Sequence, residues 1–319
     1  MTVHREFVNV NKSPSSTRSR MRRLGRTVAD HLKRKILWSV ARVRRVVIGP
    51  YSVAVLTRTE NGLLLVPSSD MMVGRRLSFN GSYDSELLSF LLERCDTTSR
   101  VLFVGAHIGS LAIPVAKRSG KVVAIEANPA TFELLRINVV LNDLHNIELH
   151  NFAAGDRIGD VPFLASGLNS GGSGIEMNDG HHEEAHIYGS PEKIMVPMKR
   201  LDEAFPDAHF DLIVMDIEGS EALALRGMGA LIKRSRALMV EVFEHHLRRI
   251  ARVSNQEFLS LVEPHYDEAF ILPEKPRAGE PISSGPYPRS AFTEMMDECC
   301  RRGMTNVMFM NTGVSASQG

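Results

Sequence analysis

At 319 residues, with 43% hydrophobic and 24% charged residues, the chain has the composition of a soluble globular protein of one large domain or one and a half. Its three cysteines, Cys95, Cys299 and Cys300, form an odd set with one adjacent pair, which excludes a disulfide framework and the ligand spacing of a zinc site. No apolar run approaches the roughly 18 residues that span a bilayer, and the N-terminus lacks the apolar stretch and small-residue cleavage site of a signal peptide.

The net charge of +1 conceals a division. Residues 1–50 hold thirteen Lys and Arg against Glu6 and Asp30, so the rest of the chain is acidic. In "RSRMRRLGRTVADHLKRKILWSVARVRRVVIG", Leu24, Val28, Leu32, Ile36, Leu37 and Val40 recur at helical spacing among the basic residues. This predicts a basic amphipathic helical extension. Its charged face is open to three readings: solvated, set against an acidic partner, or lying on an anionic membrane through residues 18–46. Nucleic acid is not expected, because no aromatic residues interleave the charges as stacking platforms. A cytoplasmic protein is expected, with peripheral membrane contact left open.

Residues 51–80 read as a β-rich lead-in. The runs "YSVAVLTR" and "GLLLVP" flank Glu60-Asn61-Gly62, a hairpin signal. Leu87, Leu88, Leu91 and Leu92 then predict a helix over Ser85–Arg94. From residue 100 strands and helices alternate, in "RVLFVG", "SLAIPVAKR", "KVVAIEA", "TFELLRINVVLN" and "IELHNFAA", the pattern of a doubly wound α/β sheet. Residues 156–200, rich in Gly, Ser, Asn and His, interrupt it as a long loop or hairpin. The alternation resumes with "DLIVMDIEG", "EALALRGMGALIK", "RALMVEVF" and "NQEFLSLVEP", and "DEAFILP" and "TNVMFMN" are the last strand candidates. The long proline-rich connection between those two lets the final strand insert antiparallel, giving seven strands, mostly parallel.

The segment "VLFVGAHIGS" is a strand, a tight turn and a helix start. Gly105 and Gly109 let a nucleotide approach backbone and a helix N-terminus at the carboxyl edge of the sheet. The spacing is Gly-x-x-x-Gly, with His107 where the dinucleotide fingerprint needs its second glycine. This disfavours pyrophosphate and suits the methionine end of S-adenosylmethionine; tight strand-to-helix packing is the bland alternative. Glu126 ends the second strand, twenty-one residues after Gly105, where a carboxylate accepts both ribose hydroxyls.

Taken with "EANP", Asn138 and Asn142, "LDE" and "DIEGSE" in that order, this stretch resembles the FkbM family of S-adenosylmethionine-dependent methyltransferases, over roughly residues 80–312. The resemblance implies a Rossmann-like methyltransferase domain over 81–319 that carries the 156–200 insertion. It also implies methyl transfer to a hydroxyl of a sugar, glycan or polyketide-like small molecule. By that resemblance Gly105, Ala106 and Gly109 line the methionine end of the cofactor, Glu126 the ribose, and Asn128 and Ala153 the surroundings of the adenine. Two positions depart from the family: Phe103 stands where an acid is usual, and Val214 where a lysine is frequent. The loss of that acid raises a second expectation, a non-catalytic methyltransferase-fold protein that binds a membrane or partner through its basic helix.

A hydroxyl acceptor needs somewhere for its proton to go. "DIEGSE" supplies Asp216, Glu218 and Glu221 at the mouth of the sheet. With a helix beginning at about 217, Glu218 and Glu221 share a face. Asp216 is expected to position cofactor or acceptor, and Glu218 or Glu221 to accept the proton. Glu241, His245 and His246 are further candidates, although an exposed helical histidine is the expectation for "FEHHLRR". No metal ligand is assigned: His181, His182, Glu183, Glu184 and His186 have the chemistry, but a Gly-rich run gives them no helix to sit on.

Overall fold

The apolar runs either side of Asn61 pair as antiparallel strands β1 (Ala54–Thr59) and β2 (Gly62–Pro67). The computed structural model describes residues 51–176, 190–273 and 281–313, with positions 39, 43 and 46–49 before them. Those few positions aside, the basic extension expected over residues 1–50 lies outside the described residues. Asn61 is buried at the hairpin turn. Its amide donates to the carbonyls of Tyr83 (2.9 Å) and Ser110 (2.8 Å) and accepts from the Tyr83 N–H (2.9 Å). One side chain thereby ties the turn to the two helices that follow, α1 (Val73–Asn80) and α2 (Ser85–Leu92), and to the loop after the first sheet strand.

The alternating segment folds as β3 (Arg100–Val104), α3 (Ala112–Ala116), β4 (Lys121–Ile125), α4 (Pro129–Leu141) and β5 (Ile147–His150). Next come β6 (Ala153–Ala154), β7 (Gly159–Ala165), β8 (Gly174–Ile175) and β9 (Glu192–Lys199). These four make a separate small sheet in the order β6-β9-β7-β8, built around the antiparallel β7–β9 pair. The chain returns through α5 (Leu201–Ala204), β10 (Leu212–Met215), α6 (Glu221–Arg226), α7 (Gly229–Lys233) and β11 (Ala237–Val242). A π-helical turn over His246–Ala251 and α8 (Asn255–Val262) lead to β12 (Glu268–Pro273), β13 (Ser284–Pro288), α9 (Phe292–Arg302) and β14 (Thr305–Met310).

The main sheet runs β13-β12-β14-β11-β10-β3-β4-β5. Strands β11, β10, β3, β4 and β5 are parallel, and β14 is antiparallel to both β11 and β12. Apart from Arg100, Lys121 and Glu241 at or near their ends, the central strands β3, β4, β10 and β11 are apolar throughout, because helices cover both faces. Leu102, Val104, Ile213, Met215, Leu238 and Val240 feed one core, and Val101, Phe103, Leu212, Val214, Ala237 and Met239 the other, the period of two that a pleated strand imposes.

Among the described residues the sheet has eight strands, not the expected seven. The extra one is β13, "SGPYP", part of the proline-rich stretch expected as a connection. Pro286 and Pro288 have no N–H to donate, so this segment is tolerated only at a sheet edge, and it lies there, antiparallel to β12. Among the described residues no helix is long and apolar enough to cross a membrane.

Two asparagines of α4 hold the lead-in hairpin to the domain. Asn138, fully buried, accepts from the Leu65 N–H (2.6 Å) and donates to the carbonyls of Leu65 (3.2 Å) and Ile108 (2.9 Å). Asn142, one turn on, accepts from the Leu63 N–H (3.2 Å) and donates to its carbonyl (2.8 Å). Removing a buried partner leaves backbone groups unsatisfied. Asn138→Ala is therefore expected to cost about 2–3 kcal/mol in urea denaturation, and Asn142→Ala, at a half-buried position, clearly less.

Candidate active site

Strand β3 ends in Gly105, whose φ is +89°. A Cβ at that position would stand 1.9 Å from the Asp216 carbonyl oxygen, so the ends of β3 and β10 approach as closely as bare backbone allows. The N–H groups of Gly105 and Ala106 both donate to the Ile125 carbonyl (3.0 and 2.8 Å), which draws the turn over the end of β4. Gly109, also at φ +89°, fills another role: a Cβ there would meet Ile113 and Leu135 at 2.8 Å, so its smallness serves helix packing.

The turn is completed by Glu126. Its Oε2 accepts from the His107 N–H (2.9 Å) and its Oε1 from the Asn128 N–H (2.8 Å). His107 sits at φ +51°, a conformation that side chains other than glycine rarely adopt, held by that bond. Burial pushes the Glu126 carboxyl up to about 7, against the opposing pull of the Asn128, His107 and Ala127 N–H groups. Asn128 itself caps α4, its side chain accepting from the Ala130 N–H (3.1 Å).

A buried relay joins three distant segments behind His107. The imidazole Nε2 lies 2.8 Å from Ser170 Oγ, and the Ser170 hydroxyl donates to Asp70 Oδ2, which also accepts the Ser170 N–H (2.9 Å). Asp70 Oδ1 accepts from the N–H groups of Met72 (2.8 Å) and Gly74 (2.9 Å). With its proton committed to Asp70, the serine oxygen accepts, which makes Nε2–H the donor. Burial lowers the His107 pKa, with the Asp70 charge opposing, consistent with a neutral ring.

The carboxyl ends of β10, β3, β4 and β5 thus open on one cavity of about 990 Å³, its open mouth included. Sheet order sets the sequence along its rim: Asp216 and Glu218 after β10, Gly105 and Ala106 after β3, Glu126 after β4, Phe152 and Ala153 after β5. Phe163 and Ile175 of the small sheet add an apolar wall, and Tyr83 and Asp84 the acidic end. Asp216 is exposed to the cavity, but the cavity lies deep in the protein and limits the water around it. The resulting loss of water, with the charges of Glu241 and Glu221, raises its pKa well above the usual carboxylate range, while His246 pulls it down. Glu221 is likewise raised, chiefly by burial.

Of the residues singled out in the sequence, Gly105, Ala106, Glu126, Ala153, Asp216 and Glu218 line this cavity, whereas Gly109, Asn128 and Glu221 do not. The helix expected from 217 starts at Glu221. Residues 217–220 are a turn with Glu218 at φ +53° and Gly219 at φ +99°, so Glu218 and Glu221 share no helical face. The cause is local: Glu221 Oε1 accepts from the N–H groups of Ile217 and Gly219, both at 3.1 Å, a side-chain bond that competes with helix. His246, expected to be exposed, is 2% exposed and packs edge-on against Phe243, ring centroids 5.0 Å apart, because the π-helical turn folds it inward. His181, His182, Glu183, Glu184 and His186 lie outside the described residues. Asp70, Tyr83, Asp84 and Ser170 carried no sequence signal, and His107 was noticed only as a missing glycine.

The family model described as "Methyltransferase FkbM domain" matches residues 104–297. The chain belongs to the FkbM methyltransferase family. It is similar to the crystal structure of the methyltransferase FkbM from Methylobacillus flagellatus KT, with 18% identity and a TM-score of 0.39, covering 67% of this chain and 44% of that one. It is also similar to TYW2 of M. jannaschii, crystallised with AdoMet, with 13% identity and a TM-score of 0.40, covering 81% and 85%. A probable ribosomal RNA small subunit methyltransferase A of Methanosphaera stadtmanae is 36% identical over 74 residues, 23% of this chain and 27% of that protein. The chain therefore spans about a quarter of that relative and under half of the FkbM crystal structure.

The cofactor of this FkbM protein is S-adenosylmethionine, and the residues present fit it. A carboxylate offers about four lone-pair sites; backbone hydrogen bonds occupy two on Glu126, and acceptor capacity remains at the cavity for a ribose. The two departures from the FkbM pattern are themselves neighbours. Phe103 and Val214 are register partners on β3 and β10, both buried in the same core and both at the cavity. Restoring the acid alone leaves an unpaired buried charge. Phe103→Asp is expected to destabilise by about 3 kcal/mol and Phe103→Asp/Val214→Lys to recover at least half of that, as read from urea midpoints.

Proposed function

We propose that this protein is an S-adenosylmethionine-dependent O-methyltransferase acting on a hydroxyl of a sugar, glycan or polyketide-like small molecule. The observation that carries the reading is the single cavity into which Glu126, the Gly105 turn, Asp216 and Glu218 all open. When bound, S-adenosylmethionine supplies an electrophilic methyl group. Glu126 takes the ribose hydroxyls, Gly105 and Ala106 face the methionine end, and Ala153 with Phe152 borders the adenine. Gly109 and Asn128 act from behind, by packing the loop and capping α4, and Glu221 shapes the turn that aims Glu218. Asp216 and Glu218 stand at the acceptor end, where a hydroxyl gives up its proton as its oxygen attacks. In-line displacement asks the protein mainly for alignment and exclusion of water, which the apolar walls of the cavity supply.

Although one relative is named as a ribosomal RNA methyltransferase, the carboxylates of Asp84 and Glu218 at the cavity disfavour a phosphate backbone there and support a neutral acceptor. The other reading, a non-catalytic protein that acts through its basic N-terminal segment, gains weight from Phe103 in place of an acid. Calorimetric titration with S-adenosylmethionine separates the two, since absence of binding at millimolar cofactor overturns the enzymatic reading.

The pH dependence of that titration reports on Glu126. Ribose hydroxyls donate to the ionised carboxylate, so binding competes with protonation, and affinity is present above about 7 and falls as the pH drops through it. A weakening of up to about tenfold between pH 8 and pH 6 is expected, flattened in Glu126→Gln. With acceptors drawn from methyl glycosides, polyols and RNA, Asp216→Asn and Glu218→Gln are each expected to slow transfer by about 10²–10⁴-fold at saturating cofactor. Full activity in both variants overturns the assignment, and turnover of RNA alone overturns the acceptor class.

A further inference from the structure

Beyond the cavity rim, the ends of β10 and β11 bring together more acid than methyl transfer from a sulfonium requires. Ligand atoms of Glu218, Glu241 and His246 lie within 4.8 Å of one another, and so do those of Asp216, Glu221 and Glu241. Glu241 belongs to both sets. His246 Nε2 is 3.7 Å from Glu218 Oε2, and His246 Nδ1 is 3.5 Å from Glu241 Oε2, separations too long for hydrogen bonds. The groups face each other across a gap.

The second observation is Glu241 itself. It is 9% exposed, and its Oε2 is buried without a hydrogen-bond partner. With the His246 imidazole at ion-pair rather than hydrogen-bond distance, that buried oxygen carries a desolvation cost, and a bound ion is one of the ways such a group is satisfied. This is the oxygen that stands 3.5 Å from His246 Nδ1, and the same side chain also belongs to the set with Asp216 and Glu221. Oxygens bound side by side to a six-coordinate ion at about 2.1 Å lie about 3 Å apart. The two His246 separations, 3.7 and 3.5 Å, therefore have to close by roughly half an ångström or more for both carboxylates to sit beside the ring on one ion.

We propose that Glu241, Glu218 and His246 hold a divalent cation at the acceptor end of the cavity, with Asp216 and Glu221 beside it. Carboxylate oxygens with one imidazole suit a hard ion of the Mg²⁺ or Mn²⁺ type. Such an ion keeps open positions for water or substrate, and a hydroxyl bound there is more acidic. Glu218 then serves as a ligand, and Asp216 takes the proton. This inference rests on the acceptor end assigned above.

The test uses the full-length protein after treatment with chelator. Mn²⁺ is titrated alone, followed by calorimetry and by the electron paramagnetic resonance of free Mn²⁺, with thermal melting read in parallel. One Mn²⁺ per chain is expected, together with a rise in melting temperature. Glu241→Gln and His246→Gln are each expected to weaken Mn²⁺ at least about tenfold, the cost of losing a ligand or its support. Glu241→Gln removes a buried charge, so its metal-free melting temperature is expected to stay at or above that of the parent, which separates lost binding from misfolding. Absence of stoichiometric Mn²⁺ or Mg²⁺ binding at ~5 mM, a range that reaches weak sites, overturns the proposal, as does unchanged Mn²⁺ affinity in both variants. Mn²⁺ binding without S-adenosylmethionine binding overturns the methyltransferase reading and leaves the ion site standing. Full methyl transfer in excess chelator removes the ion's part in the reaction and leaves the methyltransferase standing.

Discussion

The ends of β3 and β10 press together until no side chain fits between Gly105 and the Asp216 carbonyl, and the geometry of the cavity follows from that contact. Because β3 can come no closer and must turn there, His107 is forced into a left-handed conformation whose N–H meets Glu126. On the β10 side the same contact fixes where Asp216 leaves the sheet and so where the Ile217–Ser220 turn begins. The glycine needed for this fit thus shapes the candidate site indirectly. It sets the distance between the groups on either side rather than making room for the cofactor itself.

Much of the site was legible because a parallel sheet gathers its strand ends on one edge. Gly105, Glu126, Ala153 and Asp216 each follow a run of apolar residues, and finding the runs located the residues. What escaped was held by contacts that local sequence does not encode. Asp70 reaches Ser170 across one hundred positions, and neither position carries a pattern. The turn at Glu218 looked like helix because the deciding bond comes from Glu221 three residues later. Strand β13 was hidden by its prolines, and His246 by a π-helical turn that no apolar period announces.

Phe103 and Val214 take on a different meaning once they are seen side by side in the sheet. Read along the chain they are two separate losses, of an acid and of a base, each suggesting decay. In register they are one pair of facing apolar residues, at two positions where the resemblance implies an acid and a lysine. Apolar residues in place of a buried ion pair are often neutral or stabilising, because the pair had to be desolvated in the first place. The cavity around the two residues is intact: Glu126, Asp216 and Glu218 open into it.

The asparagines of α4 have a consequence for where the functional unit ends. Family similarity begins at residue 104, yet Asn138 and Asn142 offer their amides to alternate residues of β2, in the spacing at which a neighbouring strand would offer peptide groups. A helix here plays the part of a missing strand. It satisfies a backbone edge that would otherwise be open to pairing with another molecule, and it makes the hairpin unable to leave without exposing its binding partner's buried amide. Those bonds join the lead-in to the domain it precedes.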